Sequence, residues 1–225
     1  SMSWKALVEV GFFERDLVSD DSRIFLQCFF RYDGDYQTIP MYIPVSMDTV
    51  DAPTVWESFK NLYKQQRRWA WGVENFPYIL SRFRQTKKIH WKKKFKYIWN
   101  QGEGVYSWAT APLIIFILGK MPLYFLTDEE TASVFVQNTP FVLEWLLRLA
   151  SAGIFISAIL GLFLLPKRPK NRGIATYGVM LLQWVLLPVS LVFFGSLPAI
   201  DAQTRLMINK PLGFFVTPKR RTEQV

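Results

Sequence analysis

Three long apolar segments in the second half of the chain limit how it can fold. They cover residues 105–126, 141–165 and 174–200. Each is long enough to cross a bilayer, since an α-helical span takes about 20 residues. Backbone groups inside hydrocarbon must be hydrogen-bonded within their own segment, which favours helices. The sequence therefore predicts an α-helical transmembrane region of up to three spans over residues 104–200.

The charges around these segments predict which side each loop faces. Residues 82–96 and 166–173 are rich in Lys and Arg, whereas residues 127–140 hold three acids and no Lys or Arg. Because cytoplasmic loops carry the excess of Lys and Arg, we expect the first two stretches in the cytoplasm and the third outside. Three full crossings would also leave residues 201–225 outside, although five cations there favour the cytoplasm. Either one segment does not cross fully, or the tail is outside.

Charge and composition also narrow the class of protein. Residues 1–60 carry ten Asp and Glu against five Lys and Arg, whereas residues 64–96 carry eleven Lys and Arg against Glu74 alone. Since this basic run leads directly into apolar segments, we expect an anionic lipid surface as its partner and no nucleic acid. The single cysteine, Cys28, excludes an internal disulfide, and the single histidine, His90, excludes a His-rich metal site.

The first 75 residues are predicted to mix helices with short strands. Apolar residues recur at helical spacing, and Ser, Thr or Asp precedes two of the apolar runs as an N-cap. Alternating residues around two prolines are typical of short strands. The predicted elements are helices over residues 4–11 (ending at Gly11), 19–30 (capped by Ser19) and 55–63 (capped by Thr54 or Asp51), a turn at 33–35, and one or two strands within 36–45.

Residues 65–72, Gln-Gln-Arg-Arg-Trp-Ala-Trp-Gly, form the most distinctive short stretch. Arg is a planar fork suited to phosphate oxygens, and Trp offers a flat apolar face on which sugar rings stack. Phosphate and sugar together describe a nucleotide-sugar. The same residues also suit a juxtamembrane anchor, with Trp at the headgroups and Arg on anionic lipid. Taken alone, the stretch leaves both interpretations open and favours the anchor.

Residues 76–103 alternate aromatic side chains with cations. This composition is typical of amphipathic helices that lie among lipid headgroups. A nucleic-acid-binding stripe has a similar composition, but the membrane segment that follows favours lipid. We therefore predict interface helices over residues 76–103.

Residues 19–21 and 65–69, in that order along the chain, resemble two motifs of the membrane-bound family 2 glycosyltransferases, a group that includes cellulose and hyaluronan synthases. Residues 19–21, Ser-Asp-Asp, are similar to the Thr/Ser-Glu-Asp element of that family, with Asp20 in place of the usual Glu. Residues 65–69 match its Gln-x-x-Arg-Trp element in full. Residues 214–219 match the Phe-x-Val-Thr-x-Lys pattern of the cellulose synthase gating loop, although a basic membrane-proximal tail is the alternative there.

The resemblance implies a fold class and an activity. Residues 1–75 would be an α/β fragment, the C-terminal part of a GT-A type glycosyltransferase domain, and residues 201–225 a cytoplasmic tail. The implied activity is inverting transfer of a sugar from a nucleotide-sugar, of the UDP type, to a growing glycan acceptor at the cytoplasmic face of the plasma (inner) membrane. The alternative is a non-catalytic membrane scaffold or transporter subunit.

The resemblance also assigns roles to individual residues. Asp21 is the implied catalytic base, while Asp20 beside it either raises the proton affinity of Asp21 or simply caps the helix. Gln65 and Arg68 are implied partners of the diphosphate, and Trp69 is implied to stack on the acceptor sugar. The implied gating-loop residues are Phe214, Val216, Thr217 and Lys219, of which Thr217 and Lys219 would contact the diphosphate.

The donor half of such a site is not recognisable in this sequence. The family holds Mg²⁺ or Mn²⁺ through an Asp-x-Asp element in a preceding half-domain. Residues 33–35, Asp-Gly-Asp, have that spelling but follow the implied base and are predicted to be a turn. We therefore expect this chain to be the C-terminal part of a longer protein, to carry no metal ligands, and to show no transferase activity alone.

Overall fold

The protein is helical in a computed structural model that describes residues 2–15, 17–43, 45, 50–115, 134–164, 173 and 175–213. Two compact units are present. One contains the described residues of Ser1–Thr110 and Phe193–Val225, and the other those of Ala111–Val192.

The prediction of an α/β fold is wrong. In the described ranges no residue belongs to a strand or sheet. Residues 36–43, where strands were predicted, belong to no helix or strand, and their apolar side chains Ile39 and Tyr42 are 83% and 94% exposed. A strand is stable only beside a partner strand, and Pro40 has no N–H to donate to one. The alternating apolar side chains of this stretch are therefore not buried against a partner strand.

The helices of the first unit begin and end largely where local signals predict. The Ser3 hydroxyl accepts the Ala6 N–H, and Gly11 adopts a φ of +80° just beyond the first helix. Thr54, not Asp51, caps the third helix, since its Oγ1 accepts the Glu57 N–H at 3.2 Å. The helices are α1 (Trp4–Glu9), α2 (Asp20–Arg31), α3 (Val55–Ala70), α4 (Asn75–Gln85) and α5 (Trp91–Leu113), with a 3₁₀ turn at Trp71–Glu74 between α3 and α4.

A small aromatic core joins α2, α4 and the start of α5. Phe29 and Ile79 are almost completely buried, and the Phe29 ring lies 4.4 Å from that of Tyr97 and 6.2 Å from that of Phe83. Burying each such side chain contributes about 1.5–3 kcal/mol. The turn at residues 32–34 closes over this core. Gly34 is needed there because its φ is +87°, a left-handed conformation that other residues rarely adopt.

Part of the basic run is structural. Lys94 donates to the backbone carbonyls of Phe83 and Thr86 at the end of α4, and Lys93 donates to the carbonyl of Gly34 at 2.6 Å. These ammonium groups satisfy carbonyls that a helix end or turn leaves unpaired. The outer face of α5 instead exposes three aromatic rings one turn apart, those of Trp91, Phe95 and Trp99. These rings form the face of α5 that suits the predicted lipid contact.

The second unit contains α6 (Val134–Phe163), α7 (Ala175–Leu182) and α8 (Leu187–Ser190). Residues 175–207 form one continuous helical stretch, which ends in the first unit with α9 (Leu197–Met207). Two helical stretches, Glu144–Phe163 and Ala175–Met207, are long and apolar enough to cross a membrane. They correspond to the second and third apolar segments. Residues 134–140, predicted to be loop, begin α6, and residues 116–126 of the first segment lie outside the described ranges.

A cluster of charges joins α9 to α3. Asp201 accepts from Arg67 at 2.7 Å with one carboxylate oxygen and from Arg205 at 2.7 Å with the other. The hydroxyl of Tyr63 lies 3.4 Å from the same carboxylate. Around these groups the two helices meet through small side chains, including Ala70, Ala199 and Ala202.

Replacement of Asp201 by Asn should weaken the contact between α3 and α9. The largely buried guanidinium of Arg67 would lose its counter-charge, at a cost of about 1–3 kcal/mol in the free energy of unfolding. Denaturant unfolding in detergent would measure this cost. Arg205→Gln is the control, because it removes only the more exposed of the two cations. Equal losses for the two variants would contradict the assignment.

Cys28 should be protected from thiol reagents in the folded chain. Its side chain is completely buried, and burial raises the pKa of its thiol, so both access and thiolate are reduced. Because the thiolate is the reactive form, we expect labelling by iodoacetamide at pH 8 to be slower than in the unfolded chain by about 100-fold. The unfolded chain in guanidinium provides the reference rate. Labelling at that rate without denaturant would mean that the aromatic core is not formed.

Candidate active site

One cavity brings the two motifs together. It has a volume of about 410 Å³ and lies between the start of α2 and the end of α3. Four of the predicted site residues, which are far apart in the sequence, line this single cavity. The lining residues are Val18, Ser19, Asp20, Asp21, Ser22, Arg68 and Trp69.

The acidic pair occupies the first turn of α2. Asp21 is exposed, whereas Asp20 is half-buried. The Oδ1 atom of Asp21 accepts the N–H of Ser22 at 2.8 Å. Amides at the start of a helix have no partner within the helix, so this bond helps to hold the carboxylate in place. Asp21 thus contributes to the helix start while its side chain remains accessible from the cavity.

Arg68 and Trp69 reach the same cavity from the end of α3, and their neighbours do not. Trp69 is 48% exposed, which leaves part of its indole open to a ligand. Arg67 is bound to Asp201 instead, so the two adjacent arginines belong to different parts of the molecule. Gln65 lies about one helical turn before Trp69 and is half-buried, but it is not among the residues that line this cavity.

Glu74 links the two sides of the cavity. Its Oε1 atom accepts both the hydroxyl and the backbone N–H of Ser19, at the start of α2. Its Oε2 atom accepts the indole N–H of Trp71 at 2.8 Å, in the turn that follows α3. We call this arrangement the Glu74 bridge. The bridge also explains why Ser19, although it precedes α2, makes no side-chain cap to that helix.

A buried polar network supports α2 beside this bridge. Arg23 is only 6% exposed and donates through Nε to the amide oxygen of Asn75 at 2.6 Å. The amide nitrogen of Asn75 donates to the Ser22 hydroxyl at 2.8 Å. The guanidinium of Arg23 also lies 3.9 Å from the centre of the Tyr78 ring and 3.6 Å from Glu14. A buried charge is costly unless it is paired in this way, so Arg23 is a structural residue.

Sequence reasoning missed Glu74, Arg23 and Asn75 as site-supporting residues. One signal for Glu74 was available, because it is the only acid among eleven cations in residues 64–96. A single carboxylate in such a basic run indicates a specific structural or functional role for that residue. Neither Arg23 nor Asn75 carried a comparable signal, since their partners lie about 50 residues away in the chain.

A larger cavity adjoins the first. It has a volume of about 680 Å³ and shares Ser22 and Trp69 with the smaller one. Its other lining residues come from α2, the end of α3, the turn that follows it, α4, α5 and α9.

The remaining predictions for the site are not tested by the described residues. Phe214, Val216, Thr217 and Lys219, the predicted gating-loop residues, lie outside those ranges. Within the ranges that are described, no three His, Cys, Asp or Glu side chains come close enough to hold a metal ion. Asp20 and Asp21 therefore do not form a complete site for Mg²⁺ or Mn²⁺, and we assign no metal to them.

Comparison of this chain with protein-family models, with curated proteins and with solved structures finds no match. The glycosyltransferase resemblance therefore depends on the motifs themselves and remains a prediction.

Replacement of Glu74 by Gln should loosen the start of α2. The amide of Gln presents one acceptor oxygen in place of two, so Ser19 or Trp71 loses its partner. Leaving such a group unpaired costs about 1–3 kcal/mol. We expect lower stability together with faster amide hydrogen exchange at residues 19–23. Glu103→Gln, at an exposed position of α5, is the matched control. Unchanged exchange at residues 19–23 would show that the bridge does not hold α2.

Proposed function

We propose that the cavity beside Asp21 is the acceptor and leaving-group end of an inverting glycosyltransferase site. A sugar would pass from a nucleotide-sugar, of the UDP type, to a hydroxyl of a glycan acceptor. The observation that carries this proposal is the convergence of an acidic pair with an Arg-Trp pair on one cavity. A carboxylate, a guanidinium and an indole are the groups that such a transfer requires at this place.

Asp21 is the proposed base. Its carboxylate takes the proton of the acceptor hydroxyl while that oxygen attacks the anomeric carbon of the donor sugar. The new glycosidic bond forms as the bond from that carbon to the diphosphate oxygen breaks, and the nucleoside diphosphate leaves with the electron pair. A single displacement of this kind inverts the anomeric carbon. The exposure of Asp21 allows an acceptor to reach it.

Arg68 and Trp69 are proposed to bind the two ends of the reacting pair. The guanidinium of Arg68 stabilises the charge that develops on the leaving diphosphate. The exposed part of the Trp69 indole stacks on the acceptor ring, which places its hydroxyl near Asp21. Gln65 would assist Arg68 from the preceding turn of α3. Thr217 and Lys219 are proposed to contact the diphosphate from the tail.

A divalent cation, Mg²⁺ or Mn²⁺, belongs to this proposal with ligands from outside this chain. When bound it would neutralise diphosphate charge. No step assigned to the residues above passes through it.

The membrane is the proposed setting of the reaction. Both apolar stretches expose large side chains, among them Leu149, Phe163, Leu182 and Val185, each at least 69% exposed. Lipid would cover such surfaces, which soluble proteins rarely leave open. Following the positive-inside rule, we propose an integral protein of the plasma (inner) membrane, with the candidate site on the cytoplasmic side.

Replacement of Asp21 by Asn tests the proposed base. In membranes that contain the protein as its gene encodes it, incorporation of labelled sugar from a panel of UDP-sugars should fall by about 10²–10⁴-fold. Membrane insertion should be unchanged, because the substituted side chain is exposed. Asp33→Asn is the control, since this carboxylate lies outside the cavity and pairs with Lys88.

Two results would contradict the proposal. Full activity of the Asp21→Asn variant would remove Asp21 as the base. Failure of the unsubstituted protein to use any nucleotide-sugar would favour the non-catalytic scaffold or transporter subunit.

A further inference from the structure

We infer that the glycan bound next to Asp21 consists of uncharged sugars. This inference rests on the proposed function and concerns the larger cavity, of about 680 Å³. That cavity adjoins the Asp21 cavity through Ser22 and Trp69, so an acceptor stacked on Trp69 would extend its preceding sugar units into it.

Among the described residues that line this cavity, none carries a charge. The seventeen residues described as lining it include no Asp, Glu, Lys, Arg or His. This is unexpected in a chain with a net charge of +9, and more so beside a helix that begins with three consecutive lysines. α5 contributes residues only from Tyr97 onward, beyond its lysines. The cations of this region therefore do not reach the cavity wall.

Two arginines near this cavity do not line it. Arg23 lies behind Asn75, which lines the cavity, but its guanidinium is bound to Asn75 and faces Glu14 and Tyr78. Arg68 lines the smaller cavity, where the diphosphate is proposed to bind, and does not line the larger one. Neither arginine is placed to receive an anionic group inside the larger cavity.

The groups that do line the cavity suit neutral sugars. Four aromatic rings line the cavity and offer flat apolar surfaces to the C–H faces of sugar rings: Phe25, Trp69, Tyr97 and Trp108. The side-chain amides of Asn100, Gln101 and Gln203 can form hydrogen bonds with sugar hydroxyls. The fourth amide in the wall, that of Asn75, is already bound to Arg23 and Ser22. A combination of mostly apolar walls with a few polar groups is typical of small-molecule sites.

A carboxylated or sulfated sugar should bind less tightly in this cavity than a neutral one. Its anionic group would lose water on entry and gain no cation in return, and a charge that is buried without a partner is strongly disfavoured. Neutral hydroxyls lose less on entry and recover hydrogen bonds from the amides. The cavity should therefore select against acceptors whose sugars carry negative charge.

The test compares two oligosaccharides that differ only in charge. The full chain in lipid nanodiscs is titrated with a neutral gluco-tetrasaccharide and with the same tetrasaccharide oxidised to carboxylates at C6, and binding is followed by saturation-transfer NMR. We expect the neutral sugar to bind more tightly by about tenfold or more, because the carboxylates have no cation to pair with.

A pair of variants locates the preference. Gln101→Lys places an ammonium group in the cavity wall and should reduce or reverse the preference for the neutral sugar. Gln85→Lys adds the same charge at an exposed position near the end of α4, outside this cavity, and should leave the preference unchanged. An equal effect of both variants would assign the preference to overall charge and overturn its placement in the cavity.

Other outcomes separate the inference from the proposed function. If both sugars bind equally well, or the carboxylated one binds better, the inference of a neutral glycan is overturned while acceptor binding still supports the transferase. If neither sugar binds, both the inference and the acceptor site are overturned.

Discussion

The candidate site depends on one carboxylate that contributes no atom to its cavity. Glu74 accepts from Ser19 at the start of α2 and from Trp71 in the turn after α3. The acidic pair directly follows Ser19, and Arg68 and Trp69 precede Trp71 closely. The Glu74 bridge thus sets the distance between the proposed base and the groups proposed to bind diphosphate and sugar. The network of Arg23 and Asn75 then supports the same helix start from the protein interior.

Charged side chains of the same kind serve different purposes within a few positions. Arg67 is held by Asp201 and joins α3 to α9, whereas Arg68 lines the candidate site. Lys93 and Lys94 bind backbone carbonyls around the aromatic core, whereas the rings of Trp91, Phe95 and Trp99 on α5 are exposed. The basic run is therefore partly a scaffold, and only part of its surface is available for lipid. This sorting also leaves the described lining of the larger cavity without a charged residue, despite the cations near it.

The two cavities form the physical basis of the proposed function. The smaller one combines acid, guanidinium and indole, which suits bond formation at an anomeric carbon. The larger one combines rings and amides, which suits a neutral glycan. Because both include Trp69, one indole is placed to act at the reacting sugar and at the start of its bound chain.

Much of the local structure was determined by the sequence itself. Helical spacing and local signals such as Gly11 and Thr54 act over three or four residues, so α1 and α3 could be predicted, as could the turn at Gly34 and the two long apolar stretches. The proposed site residues were also named by their motifs. Strands at residues 36–43 were predicted wrongly, because a strand requires a partner that the local pattern does not reveal. Only the tertiary structure decided three features of the site. Ser19 binds Glu74, Arg67 binds Asp201 while Arg68 lines the candidate site, and four motif residues share one cavity. Those contacts join residues roughly 50 to 130 positions apart, and their energies depend on burial and distance that exist only after the helices have packed.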